Sequence, residues 1–152
     1  MIEWKSIVGN GDSMNIFFLS NDPVEAAQMQ CNAHVVKMIV ESAQMLSTAH
    51  RVLDGNITRG PSKSGLTIVK QYQHLDPIFD QLLYKAVHVN HPSAVWTREN
   101  SANYNWHYRH FVALCDEYTF RYEKVHKTDK QLRTLLSNLP VHIPYATETS
   151  KP

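Results

Sequence analysis

The segment from Pro23 to Leu53 constrains the fold most, because its residues have the pattern of one long amphipathic helix. Asn21 or Asp22 can cap its start, and Pro23 suits a first helical turn, where its missing N–H needs no partner. Gly55 can end it, since glycine adopts the left-handed conformation at little cost. The apolar side of the helix consists of Val24, Ala27, Cys31, Val35, Met38, Met45, Ala49 and Val52. We therefore expect the remaining elements to pack around it.

Caps and apolar spacing predict further helices in the second half of the chain. Their expected ranges are 76–89, 94–99, 101–124 and 128–139. Residues 56–73 have glycine, serine and proline at their centre and are typical of a loop, which Arg59, Lys63 and Lys70 make basic. The sequence thus predicts an all-α class, a compact single-domain bundle of four to five helices around one long N-terminal helix, with at most one short strand.

The chain has 152 residues, enough for one domain with a hydrophobic core. We expect residues 1–13 to be an N-terminal extension outside the fold, residues 14–144 to form one helical domain, and residues 145–152 to be a flexible tail. The net charge of +1 gives no overall attraction to nucleic acid, so a site for a polyanion has to be a local patch. No apolar run is long enough to span a bilayer, so we expect no membrane partner.

The long helix also has a polar border that can bear chemistry. His34 and Glu41 are seven residues apart, nearly two helical turns, so they lie on one side with Cα atoms about 10 Å apart. Lys37 lies between them, where it can form an ion pair with Glu41. A carboxyl group at the edge of a core can have a raised pKa and act as an acid or base. The alternative is a surface Lys–Glu pair with a boundary histidine.

Nine histidines invite a search for metal sites. His88 with His91, and His107 with His110, each have the H-x-x-H spacing of a ligand pair for zinc or iron. Neither pair has a carboxylate partner at a suitable spacing, and a di-iron bundle would need Glu-x-x-His on two helices. We therefore expect no metal and no other cofactor, although a metal-dependent hydrolase that uses the paired histidines stays open.

Aromatic and basic side chains alternate between residues 96 and 133, a combination that can hold unstacked bases and phosphates. The alternative is that most of these residues form a core and a solvated face. Trp106 and Phe120 fall outside the main apolar face of their helix, so they are candidates for function or for a second packing surface.

Several longer motifs resemble an uncharacterised protein family of tailed bacteriophages, over residues 14 to about 144. They are M-N-I-F at 14–17, H-V-V-K-M at 34–38, E-S-A-Q-M-L-S-T-A-H at 41–50 and N-H-P-S at 90–93. Members of that family begin at the M-N-I-F run, which favours the view that residues 1–13 are an extension. The resemblance implies a phage protein in the cytoplasm of an infected bacterium, without implying an activity.

The spacing of His34 and Glu41 also resembles the pyrimidine-dimer DNA glycosylases of the endonuclease V type. That family is all-helical, and its first long helix carries a histidine and, seven residues later, a catalytic glutamate. Its N-terminal amine attacks the sugar C1′, a role that the resemblance implies for Asn15, the residue after Met14. The arginine that precedes the glutamate in the phage enzyme is Val40 here, so Lys37 or Arg51 would replace it.

Together these features predict a phage-encoded protein that acts on nucleic acid. The most specific prediction is a DNA glycosylase/lyase-like enzyme with its site along the helix face 34–51. Glu41, His34 and Asn15 are the expected catalytic residues. The residues expected to contact DNA or a nucleotide are Lys37, Arg51, His91, Arg98 and Trp106. The alternative is a non-enzymatic phage protein that binds a host or virion protein through an aromatic surface that includes Trp106 and Phe120.

Overall fold

The computed structural model describes residues 21–151, and in this range the chain forms six helices and one two-stranded antiparallel sheet. The elements are α1 (Pro23–Gln28), α2 (Asn32–Asp54), β1 (Gly55–Pro61), β2 (Ile68–His74), α3 (Pro77–Leu82), α4 (Pro92–Glu99), α5 (Ser101–Tyr122) and α6 (Lys127–Leu136). Asn15 and the predicted extension 1–13 lie outside the described residues. The predicted all-α class is therefore wrong, because a sheet accompanies the helices.

The predicted single helix over residues 23–53 is two helices. The Asp22 carboxylate caps α1 by accepting a hydrogen bond from the Val24 backbone N–H at 2.9 Å. Cys31 then adopts an extended conformation, with φ −73° and ψ 163°, and α2 begins after it. Cys31 is exposed, although its place on the apolar stripe predicted burial. The break lets α1 lie against α5 with Ala26 and Ala27 fully buried.

The predicted loop over residues 56–73 is a β-hairpin. Its strands pair from Gly55 opposite His74 to Pro61 opposite Ile68. Strand residues such as Ile57, Val69 and Tyr72 are of the β-branched and aromatic types that favour this conformation.

Gly55, which was expected to end the helix in a left-handed conformation, has an extended one with φ −121°. Glycine is needed here for another reason, because a Cβ atom would lie 2.4 Å from the Arg51 carbonyl oxygen and 2.5 Å from that of Gln73.

The core surrounds α2, which packs against α4, α5 and α6. Its largest fully buried side chains are Met38, Ile39, Met45, Leu46, Tyr104, Phe111, Leu114, Leu132 and Leu136. Each buried side chain of this size contributes roughly 1.5–3 kcal/mol relative to an exposed one. Helix α6 begins at Lys127, one residue before the predicted start, with His126 as its N-cap, and α3 ends at Leu82, well before the predicted residue 89. None of the helices described over residues 21–151 is long and apolar enough to cross a membrane.

The chain beyond α6 runs back across α4 and α5. The Ser101 backbone N–H donates to the Pro144 carbonyl at 2.8 Å, and the Trp96 indole N–H donates to the Ser150 carbonyl at 3.0 Å. Asn103 and Ser150 form two further hydrogen bonds, of 2.8 and 2.9 Å. These contacts attach residues 144–150 to the helical core.

Candidate nucleic-acid interface

A groove of about 840 Å³ lies between α2, the β-hairpin and the segment 84–87. From α2 it is lined by Val40, Gln44 and Arg51. The other side chains around it are Thr58, Pro61, Ser62, Lys63, Val69, Lys70, Gln71, Tyr72, Gln73, Asp80, Tyr84, Lys85, Ala86 and Val87. We call this feature the hairpin groove. Its lining is mixed, with polar amides, cations and two tyrosines, which suits a charged ligand with flat rings better than a purely apolar one.

The charge of the hairpin groove is positive. Lys63, Lys70 and Lys85 line it, and residues 55–75 contain no aspartate or glutamate. Asp80 is the one acidic side chain in the lining, and its carboxylate is occupied by Arg51 at 2.6 Å. A protein with a net charge of only +1 thus has a local basic surface, which is the kind of patch that attracts a polyanion.

Arg51 is a buried side chain that joins the hairpin to α3 and to the segment that follows α3. Its five guanidinium hydrogen bonds go to the carbonyls of Tyr72, Asp80, Leu83 and Tyr84 and to the Asp80 carboxylate. A guanidinium has five N–H donors, so this arrangement leaves none for a phosphate, the role that the sequence predicted for Arg51. Burial alone would raise the pKa of Asp80, but hydrogen bonds from Arg51 and from the His74 backbone N–H lower it below its ordinary value.

Glu41 is the most unusual carboxyl group on α2. Its residue is only 9% exposed, and Oε2 has no hydrogen-bond partner among the described residues. Burial raises its pKa above the ordinary glutamate value, and the positive charge of Lys37 offsets only part of this effect. A raised pKa favours the protonated form of a carboxyl group, which is the form that can donate a proton. Val40, the residue before Glu41, lines the hairpin groove, whereas Glu41 itself is not among the lining residues.

The other two polar residues of this helix face, His34 and Lys37, are exposed. Of these three residues only Glu41 is buried, so the helix face 34–41 is exposed at its start and enters the core within two turns. The third expected catalytic residue, Asn15, lies outside the described residues.

Three of the residues expected to contact DNA make contacts within the fold. His91 caps α4, its Nδ1 accepting from the Ser93 backbone N–H at 3.2 Å, and Arg98 donates to the Val89 carbonyl at 2.7 Å. Trp106 is buried, donates to the Asn21 carbonyl at 2.9 Å and stacks on His110 with ring centroids 5.2 Å apart. Trp106 thus forms a second packing surface of α5.

The paired histidines are also part of the fold. His107 and His110 are fully buried; the first bonds to the Thr97 hydroxyl at 2.7 Å and the second to the Pro23 carbonyl at 3.0 Å. Burial lowers the pKa of both rings, that of His110 to about 4, so both are neutral at pH 7.

Sequence reasoning found the basic residues of segment 56–73 but missed Lys85, because that residue comes from another part of the chain. No protein-family model, curated protein or solved structure matches this chain. The phage and glycosylase resemblances therefore stay predictions.

Proposed function

We propose that this protein binds a nucleic-acid strand in the hairpin groove and acts on it through Glu41. The observation that carries the proposal is the basic β-hairpin without an acidic residue, placed beside Lys85 across a groove of about 840 Å³. Lys63, Lys70 and Lys85 would contact phosphates, and Tyr72 offers a ring on which a base can stack. A two-stranded β-ribbon is also one of the elements that enter a DNA groove.

For the catalytic step we propose DNA glycosylase/lyase-like chemistry. An amine of the chain forms a bond to the sugar C1′ while the C1′–N bond to the base breaks, and the carboxylic acid of Glu41 gives its proton to the departing base. What supports this role for Glu41 is its burial, its raised pKa and an Oε2 atom that has no hydrogen-bond partner within residues 21–151. The target base would leave the helix stack to reach such a group.

The binding part is tested by fluorescence anisotropy with labelled single-stranded and duplex DNA between 50 and 200 mM salt, roughly the range over which phosphate contacts weaken. We expect the triple variant Lys63→Gln, Lys70→Gln, Lys85→Gln to weaken binding at least about tenfold. We also expect it to reduce the slope of log affinity against log salt by about 3, because each phosphate contact contributes close to one unit. The control is Lys124→Gln, Lys127→Gln, Lys130→Gln, three exposed lysines outside the hairpin groove. Equal losses in the two triple variants would contradict a site in the groove.

The chemical part is tested by borohydride trapping on abasic and pyrimidine-dimer DNA. A covalent adduct is expected from the chain that begins at residue 15, and the Glu41→Gln variant should form it at least about a hundredfold more slowly, the size of a general acid–base contribution. Glu25→Gln is the matched control, because Glu25 is an exposed glutamate in α1. Absence of an adduct from every form would remove the glycosylase/lyase step and leave binding as the function.

A second candidate function is partner binding at the outer face of α1 and α5. Phe120 is 81% exposed there, at the edge of a depression of about 520 Å³ that Val24, Tyr108 and Val112 also line. Arg109, Asp116 and Glu117 also line this depression, and an exposed aromatic group among apolar and charged side chains is typical of a protein-binding surface. If host or virion proteins bind here, Phe120→Ser should abolish their retention on the immobilised protein without changing DNA affinity. Unchanged retention would contradict this second function.

A further inference from the structure

Three side chains with metal-binding atoms meet at the base of the hairpin. His50 and Asp54 lie one turn apart on α2, and His74 is the last residue of β2. One ligand atom from each lies within 4.8 Å of the other two. We propose that His50, Asp54 and His74 bind one divalent transition-metal ion, with zinc as the favoured ion. This group is distinct from both H-x-x-H pairs and from the hairpin groove.

His50 gives the strongest reason for the proposal. It is 1% exposed, and its Nε2 lies 2.8 Å from the hydroxyl of Tyr104. When that hydroxyl donates to the Leu136 carbonyl, at 2.7 Å, it accepts from His50, and the imidazole proton is then on Nε2. The lone pair on Nδ1 is then buried without a hydrogen-bond partner among the described residues. Tyr104 thus fixes the tautomer and orientation that a metal ligand requires.

His74 contributes a second buried nitrogen, Nε2, which has no hydrogen-bond partner in the part of the chain that the structure describes. In the ion-free ring, Nδ1 accepts from the Asp76 backbone N–H at 2.9 Å, which places the proton on Nε2. When an ion binds Nε2, the proton moves to Nδ1 and the exposed Asp76 N–H bonds to water. Phe79 packs against both rings, with centroids 5.0 Å from that of His74 and 5.7 Å from that of His50.

Asp54 supplies the negative charge. Its carboxylate accepts hydrogen bonds from the Val141 and His142 backbone N–H groups, at 2.7 and 3.0 Å, and contacts the His142 ring at 2.8 Å. A carboxylate has about four lone-pair positions, so one is left for an ion. The three existing bonds orient the group in the way that outer hydrogen bonds orient a metal ligand.

The donor set selects the class of ion. Two imidazole nitrogens and one carboxylate favour zinc and its neighbours over magnesium or calcium, and three protein ligands leave a fourth position for water. Ligand atoms around tetrahedral zinc are about 3.4 Å apart for bonds of about 2.1 Å, so the side chains would approach one another by up to about 1.4 Å. Such an ion would join α2, the end of β2 and, through Asp54, residues 141–142.

The test is titration of the purified full chain, stripped with chelator, with Zn²⁺ in competition with a chromophoric chelator. Co²⁺ is the spectroscopic probe. We expect one Zn²⁺ per chain, a visible Co²⁺ spectrum typical of four-coordination with nitrogen ligands, and a higher thermal unfolding midpoint with zinc. His74→Gln should weaken Zn²⁺ binding by at least about 100-fold, more than the loss of an outer-shell partner does.

Two further variants make the result specific. Asp54→Asn keeps the size of the side chain and should also weaken binding. His88→Asn is the control, because it removes one H-x-x-H pair at a position with φ 47°, which asparagine tolerates. The proposal is overturned if the wild-type chain binds no stoichiometric zinc, if His74→Gln binds it as tightly as wild type, or if His88→Asn alone removes the binding. None of these measurements involves DNA, so they stand apart from the proposed function.

Discussion

At the scale of single residues, Glu41 is expected to reduce stability while it supports function. A buried carboxyl with a raised pKa binds more protons in the folded than in the unfolded chain between the two pKa values. The free energy of unfolding therefore falls as pH rises through that window, and the loss persists at neutral pH. Function can require such a group, because the same burial that destabilises the charged form raises the pKa of the carboxyl group.

We predict that Glu41→Gln raises the free energy of unfolding at pH 7 by on the order of 1 kcal/mol, the size of a penalty for one desolvated group. The gain should disappear near pH 4, where the carboxyl is protonated in both states. Urea unfolding at the two pH values measures it, with the exposed Glu25→Gln as the control. A gain that is equal at both pH values would show that ionisation is not its cause.

The sequence predicted that the polar residues of the helix face 34–41 share one side of the helix, but it did not predict which of them are exposed. Helical spacing places His34, Lys37 and Glu41 on one side of α2. Which end of that side is covered depends on what packs against α2, and the local pattern contains no information on this. Arg51 shows the same limit, since all its hydrogen-bond acceptors come from residues 72–84.

At the scale of elements, the attachment of the hairpin depends on one side chain. Arg51 joins a strand carbonyl, that of Tyr72, to α3 and to the segment after it. We predict that Arg51→Lys lowers the free energy of unfolding by about 3 kcal/mol, because an ammonium cannot reproduce five hydrogen bonds in a planar fork.

Hydrogen exchange measures the local part of this effect. The increase in amide exchange rate from wild type to Arg51→Lys should be larger in residues 55–74 than in the rest of the chain. Arg59→Lys is the control, since Arg59 is exposed on β1. Protection of the hairpin that matches wild type would contradict this role for Arg51.

Two elements were predicted wrongly, each for a physical reason. The hairpin strands are largely exposed on both faces, so they lack the alternation of apolar and polar residues that identifies a half-buried strand. The break between α1 and α2 covers only residues 29–31, and the apolar spacing of residues 24–52 continues through it. By contrast, α5 was predicted nearly to its ends because its apolar face is long, although its N-cap is Asn100.

At the scale of the whole molecule, the features that the sequence could not predict are those formed by contacts between distant parts of the chain. The groove combines three separate segments, and the chain at residues 144–150 bonds to residues some 45 positions earlier. The net charge of +1 does not indicate the basic groove, because it is a sum over the whole chain, whereas residues 55–75 contain no acidic residue. The helical core was predictable because each amphipathic helix carries its own signal, whereas sites assembled from distant segments carry none.

The whole fold should also be sensitive to acid. His107 and His110 are buried and neutral, burial lowers the pKa of both, and that of His110 falls to about 4. Between pH 6.5, the ordinary histidine value, and about 4, the unfolded chain binds protons that the folded chain does not, so stability falls as pH decreases. Each such histidine contributes a slope of about 1.4 kcal/mol per pH unit.

We predict that His110→Gln reduces the acid slope of the unfolding free energy by close to one proton, while it costs stability at pH 7 through lost packing against Trp106. Urea unfolding at steps from pH 7 to pH 4.5 gives both quantities. His88→Asn, at a position that asparagine tolerates, should leave the slope as in wild type. If His110→Gln left the slope unchanged, the proton uptake on unfolding would have to come from other groups, and burial of the His110 ring would not limit stability in acid.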